Sequence, residues 1–268
     1  MRYAFLADLH SNLEALRAVL TDLEGWPGAT LVVAGDLVGY GPDPDACVAL
    51  LATRGAHCIA GNHEGMVLGR LDFSRCVPAG IRAARWTARV ITPATRELLA
   101  SLPPRLELGT DVVVSHGDLD DPERYVASPA RADATLADLA RRFPLARVLV
   151  VGHTHHRRLH QAGAPWIAPP ADRELRLGAT GPWLLNPGAV GQSRDGQPLA
   201  RYARYDTSTG SVVFRELAYD WRRTEEKMAA HGLVPRVAMT PRSGLAARWD
   251  ALRARWIDRR PITPGPST

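Results

Sequence analysis

Residues 4–12 read AFLADLHSN. An apolar run ends abruptly in Asp8 and His10, and Ser11 or Asn12 stands ready to cap a helix whose face carries Leu13, Leu16, Val19, Leu20 and Leu23. The same layout recurs four times. LVVAGDLVGYG (31–41) ends in Asp36, CIAGNHE (58–64) in Asn62 and His63, VVVSHGD (112–118) in His116, and VLVVGHTHH (148–156) in His153 and His155. Ligand sites of α/β sheets lie at the carboxyl ends of strands, so five such ends can converge on one crevice. Glycines 35, 61, 117 and 152 beside them permit tight turns and close backbone approach.

Outward from these stretches the chain alternates strand and helix through residue 60, which predicts a parallel or mixed sheet covered by helices. The spacing predicts helix from Pro78 to Leu102, ended by Pro103-Pro104, then helix over Leu136–Phe143 and strand over Arg147–Val151. Short apolar stretches at Trp183–Leu185, Leu199–Tyr205 and Val212–Leu217 read as antiparallel strands, and Trp221–His231 as a helix. One domain is expected over 1–234, followed by a basic Arg- and Pro-rich extension over 235–268 with a disordered end. The 268 residues are 46% hydrophobic and 23% charged, ordinary for a globular chain. No apolar run reaches the roughly 20 residues of a membrane span, and the N-terminus lacks the pattern of a signal peptide. Three separated cysteines (Cys47, Cys58, Cys76) suggest free thiols in a reducing cytoplasm. The formal charge is +5, with one lysine (Lys227) against 32 arginines. This fits a GC-rich coding bias or attraction of an anionic substrate. There is no dense basic run with interleaved aromatics, which argues against a nucleic-acid-binding module. Oligomeric state is not legible.

The polar set has chemical content. In an extended backbone residues i and i+2 point the same way, so Asp8 with His10, and His153 with His155, are expected to face one cavity. Two carboxylates, four imidazoles and one amide, without thiolate, suit Mn, Fe, Ni, Co or Zn, with manganese foremost, rather than calcium. Seven ligands exceed one tetrahedral ion and suit two ions with open positions. Asp36 is the natural bridge.

The ordered set DxH, GDxxxxG, GNHE, SHG, GHTH resembles the calcineurin-like metallophosphoesterase superfamily from Asp8 to His155, and with NPGAVGQSRDG (186–196) the likeness runs to about Glu216. The resemblance implies an α/β four-layer sandwich, two mixed β-sheets flanked by helices. It implies Asp8, His10 and His155 on one ion, Asn62, His116 and His153 on the other, and Asp36 between them. The implied reaction is in-line attack on phosphorus by a hydroxide held between the ions. His63 would be general acid toward the leaving oxygen, and Asn62 would also contact the phosphate.

The protein Ser/Thr phosphatases and symmetrical diadenosine tetraphosphatases of that superfamily carry GDxVxRG. Gly39 and Tyr40 replace the phosphate-binding end of that motif here, which points to the small prokaryotic phosphoesterases. Arg194 is the candidate replacement, and Tyr40 a candidate to stack on a base or sugar. The segment 66–102 is expected to cap the cleft or cover a sheet, and 118–125 to gate the cleft or form a surface loop. His57, His156, His160 and His231 match no motif. The expected activity is hydrolysis of a small, nucleotide-like phosphate ester. Asymmetrical hydrolysis of a dinucleoside tetraphosphate and a non-catalytic scaffold are the alternatives.

Overall fold

In the computed structural model, residues 1–166, 168–178 and 180–239 are described. The chain runs β1 (Arg2–Leu6), α1 (Leu13–Glu24), β2 (Ala29–Val33), α2 (Pro44–Thr53), β3 (His57–Cys58), α3 (Asn62–Val67), α4 (Pro78–Val90), α5 (Pro93–Ser101) and β4 (Arg105–Leu108). It continues with β5 (Val112–Ser115), α6 (Pro129–Arg142), β6 (Val148–Val150), β7 (Arg158–Gln161), β8 (Glu174–Arg176), β9 (Trp183–Asn186), β10 (Leu199–Asp206), β11 (Ser211–Ala218) and α7 (Trp221–Ala230). One sheet has the order β3-β2-β1-β10-β11-β8 and the other β4-β5-β6-β9-β7. Both are mixed: β1 pairs parallel with β2 and antiparallel with β10, while β5 pairs parallel with β6 and antiparallel with β4.

The period-2 alternation of each strand builds the layers. Tyr3 and Phe5 of β1 face the second sheet with Val32, Val114, Val148, Val150 and Phe214. Ala4 and Leu6 point the other way, onto Leu16, Val19, Leu20 and Leu51 of α1 and α2. On the far side Val113 and Leu149 meet Leu136 and Leu139 of α6. Each large apolar side chain so buried contributes about 1.5–3 kcal/mol. The result is the expected four-layer arrangement of two mixed sheets flanked by helices.

Several elements differ from the sequence reading. The segment 78–102 is two helices, because Pro93 forbids helical backbone at Thr92, whose ψ is 158°. Thr92 caps α5 instead, its Oγ1 accepting from Thr95 N at 3.2 Å. The helix expected over Leu136–Phe143 starts at Pro129, with Ser128 as cap. Trp183–Leu185 is not purely antiparallel: β9 runs parallel to β6 and antiparallel to β7. Asn12, rather than Ser11, caps α1 by accepting from Ala15 N. The extension expected over 235–268 lies outside the described residues from position 240 onward. Among the described residues no helix is long and apolar enough to cross a membrane.

Candidate metal centre

The loops that leave β1 and β2 are laced together before any side chain is considered. Asp8 N donates to Gly35 O, His10 N to Asp36 O and Ser11 N to Leu37 O, all within 3.1 Å. Their backbone is left-handed: φ is 54° at Asp8, 48° at His10, 54° at Ser11, 56° at Asp36 and 53° at Tyr40. His153 and His155 repeat the device at 62° and 61°. The expectation of an extended backbone presenting i and i+2 is therefore corrected. The pairs do face one cavity, but through turns that L-residues adopt at a cost, less for Asp and His than for most. Such strain persists where surrounding structure enforces it, and it collects at functional sites.

The turns bring all seven expected side chains together. Three groups have ligand atoms within 4.8 Å of one another: Asp8, His10 and His155; His10, Asp36 and His63; Asp36, His116 and His153. Asp36 stands between, its Oδ2 at 3.2 Å from His116 Nε2 and 3.7 Å from His10 Nε2. Asn62 Oδ1 lies 3.1 Å from His116 Nε2. None of the seven is more than 7% exposed.

The imidazoles are oriented alike. Nδ1 donates to a carbonyl in three of them, His10 to Val38, His116 to Ala34 and His155 to Gln192, and the Glu123 backbone faces the His153 ring. This pattern frees Nε2 and is what metal-ligating histidines require. With Nδ1 carrying the proton, His10 Nε2 and His155 Nε2 turn lone pairs toward each other at 3.2 Å. Asp8 Oδ2 and His153 Nε2 are buried without partners. Lone pairs converging in a dry site call for cations, so the donor set fits divalent ions.

The electrostatics agree. Burial pushes His10, His153 and His155 well below the ordinary imidazole value, which keeps them neutral. Burial works to raise Asp36, but the facing His116, His63 and His10 overturn it and hold Asp36 well below the usual carboxylate range. Burial lifts Asp8 to about 7, with His116 opposing and Asp36 assisting. Burial alone would lower His116, yet Asp36 carries it up to about 9.

His63 sits at the same centre, its N–H donating to Asp36 Oδ1 at 2.9 Å and its Nδ1 buried without a partner. Gly39 makes room for it: φ is +90° there, and a Cβ would stand 2.1 Å from His63 Nδ1. Arg194 also arrives at the centre, Nη1 lying 3.2 Å from Tyr125 Oη and 3.4 Å from the His153 carbonyl. Tyr40 is adjacent but engaged, its ring 4.8 Å from both His10 and His63. The segment 66–102 meets the site through α4, where Gly80 lies against the Tyr40 hydroxyl. The loop 118–125 stacks Tyr125 on His153. His160 is buried against Asp133 of α6, and His231 packs on Trp86.

Sequence reasoning gave no role to Glu64, although it stands in GNHE. Its carboxylate accepts from Asp36 N, Gly61 N and Val38 N at 2.7–3.1 Å and locks two of the loops together. Its position three residues after Gly61, as in a capping box, was the available signal. Asn186 donates to Gly152 O and Thr154 Oγ1, steadying the GHTH turn, and Tyr125 has no local motif.

A calcineurin-like phosphoesterase superfamily domain model matches residues 1–210. The chain belongs to the calcineurin-like phosphoesterase superfamily. As a member of that superfamily it is a metal-dependent hydrolase of phosphoric esters. A metallophosphoesterase structure from Sphaerobacter thermophilus is 32% identical, with a TM-score of 0.74, over 87% of this chain and 95% of that one. An uncharacterised protein of Methanocaldococcus jannaschii is 31% identical over 234 residues, 86% of this chain and 93% of its own. A hypothetical protein from Pyrococcus horikoshii shares the fold, with a TM-score of 0.70 at 18% identity over 87% and 94% of the two chains.

Proposed function

We propose that this phosphoesterase holds two divalent transition-metal ions, manganese foremost, and hydrolyses a small, nucleotide-like phosphate ester. One observation carries the reading: His10, His116 and His155 spend Nδ1 on carbonyls and turn Nε2 toward Asp8 or Asp36, while Asp8 Oδ2 and His153 Nε2 are buried beside them without partners. Asp8, His10 and His155 would hold one ion, and Asn62, His116 and His153 the other, with Asp36 shared. Divalent ions so held supply Lewis acidity and bring the pKa of water toward about 7.

The chain's own groups do the rest. The Asn62 amide and the Arg194 guanidinium bind phosphate oxygens. Protonated His63 donates to the leaving oxygen; burial lowers its pKa and Asp36 opposes that, so it is a stronger acid than a free imidazole. Asp36 fixes the His63 backbone while serving the ions. Glu64 keeps both loops in register. Tyr40, packed on His10 and His63, acts by holding those rings and is already engaged rather than free to stack on a base or sugar. The scaffold reading loses ground because the ligand set is complete. Three free thiols suit a reducing cytoplasm.

The test is turnover of p-nitrophenyl phosphate and bis-p-nitrophenyl phosphate by protein loaded with Mn²⁺, Ni²⁺, Co²⁺ or Zn²⁺. Activity with at least one ion is expected, together with about two ions per chain by elemental analysis. Inertness with all four overturns the reading.

A further inference from the structure

Tyr125 roofs the His153 side of the centre. Its ring lies 4.1 Å from the imidazole centroid with 15° between the planes. The loop that carries it is tied down: Arg75, from the segment before α4, bonds Asp121 Oδ2 at 2.8 Å and approaches Glu123 at 3.7 Å, and Arg124 pairs with Asp118 at 3.2 Å. The Tyr125 hydroxyl accepts from Arg194 Nη1. Arg194 also lies over the Tyr125 ring, 5.8 Å from its centroid.

Arg194 is unusual among the arginines drawn into this fold. Arg201 has Asp195 and Glu216 as partners, and Arg204 and Arg215 share Asp22. Among the described residues Arg194 has no ion pair. Its polar partners are a phenol and a carbonyl, and its Nε is buried with none. A partly buried guanidinium with no carboxylate paired to it is under-compensated, and a negatively charged ligand would supply the missing partner.

The charge requirement separates two kinds of ester. A terminal phosphate is close to a dianion at neutral pH and offers three free oxygens, whereas an internal diester is a monoanion and offers two. A guanidinium fork fixed in the wall of the site favours the second charge and the third oxygen. We propose that Arg194, held in place by the Tyr125 hydroxyl, selects esters bearing a terminal phosphate over internal diesters. This selection rests on the phosphoesterase reading above. Tyr125 is a positioning residue, and Arg194 makes the contact.

The experiment compares kcat/KM for p-nitrophenyl phosphate and bis-p-nitrophenyl phosphate, which share a leaving group, in metal-loaded protein. Arg194→Gln should lose about tenfold more on the monoester than on the diester. Its inhibition constant for inorganic phosphate should rise by a similar factor, with metal content unchanged. Tyr125→Phe keeps the ring on His153 and removes only the hydroxyl. It should raise KM for the monoester about threefold and leave kcat within about twofold. The double variant should be no worse than Arg194→Gln alone, since the hydroxyl acts through the guanidinium. Equal losses on the two esters, or additive effects of the two substitutions, overturn the selection while leaving the hydrolase intact. Wild-type protein inert on both esters sinks the hydrolase reading itself, and the selection with it.

Discussion

His63 is buried at the centre, its backbone bonded to Asp36 and its ring Nδ1 without a protein partner, so the ring is free to serve a bound group. His63→Ala should therefore cut turnover of alkyl phosphate esters by about 10²–10³-fold and of nitrophenyl esters by less than about tenfold, because only the alkoxide needs the proton. Matching losses on both ester types remove His63 as the acid. The cysteines make the opposite case, of groups made inert by their surroundings. Burial lifts Cys76 to about 11 and Cys58 to about 12, and it raises the wholly buried Cys47 well above the ordinary thiol value. The thiolate is the reactive form, so at pH 8 the native thiols should react with a disulfide reagent at least about tenfold more slowly than in urea. The rate for Cys76 should climb about tenfold per pH unit from 8 to 10 without levelling, since its thiol still lies below its midpoint. A plateau near pH 9 would show an ordinary, exposed thiol.

Local signals at the scale of elements were legible wherever one rule acted alone. The i, i+3, i+4 spacing marked α1, and the apolar run at 148–151 marked β6. Where two rules competed, the stronger steric one won. Helical periodicity ran straight through 78–102, yet the ring of Pro93 excludes helical backbone at Thr92 and splits the segment. Strand direction was not legible for β9, because the strand that flanks it on one side is set by the topology of the whole sheet. The break has its own energetics. Thr92 Oγ1 accepts from Thr95 N and donates to Asp45 Oδ1, so it caps α5 and ties it to α2. Thr92→Ala should lower unfolding stability by about 1 kcal/mol in urea titration. Phosphoesterase activity should stay within about twofold, since α5 packs away from the metal centre. An unchanged midpoint would mean that the cap is replaced by water at no cost.

Across the whole molecule, the two sheets bring β1, β2, β3, β5 and β6 to end at one place, so five local clusters become one centre. That convergence was legible because Asp, Asn and His, each ordinary in a single turn, recur at five strand ends in one order. The groups that support the centre were not legible. Tyr125 meets Arg194 from 69 residues away, and the left-handed turns at Asp8 and His153 are enforced by hydrogen bonds from other segments. A centre assembled from all these segments couples metal to global stability. Ions that bind the native chain and not the unfolded one stabilise it by about 2.7 kcal/mol at a hundred times the dissociation constant. For a chain of this size that corresponds to a rise of about 5–10 °C in Tm. Stripping the ions with a chelator should reverse the rise, and restoring Mn²⁺ should recover it. Asp36→Asn should melt at one temperature with or without Mn²⁺, because it removes the carboxylate that both ions would share. A wild-type Tm that is indifferent to verified removal of the metal would show that the converging lone pairs do not bind it in preference to the unfolded chain.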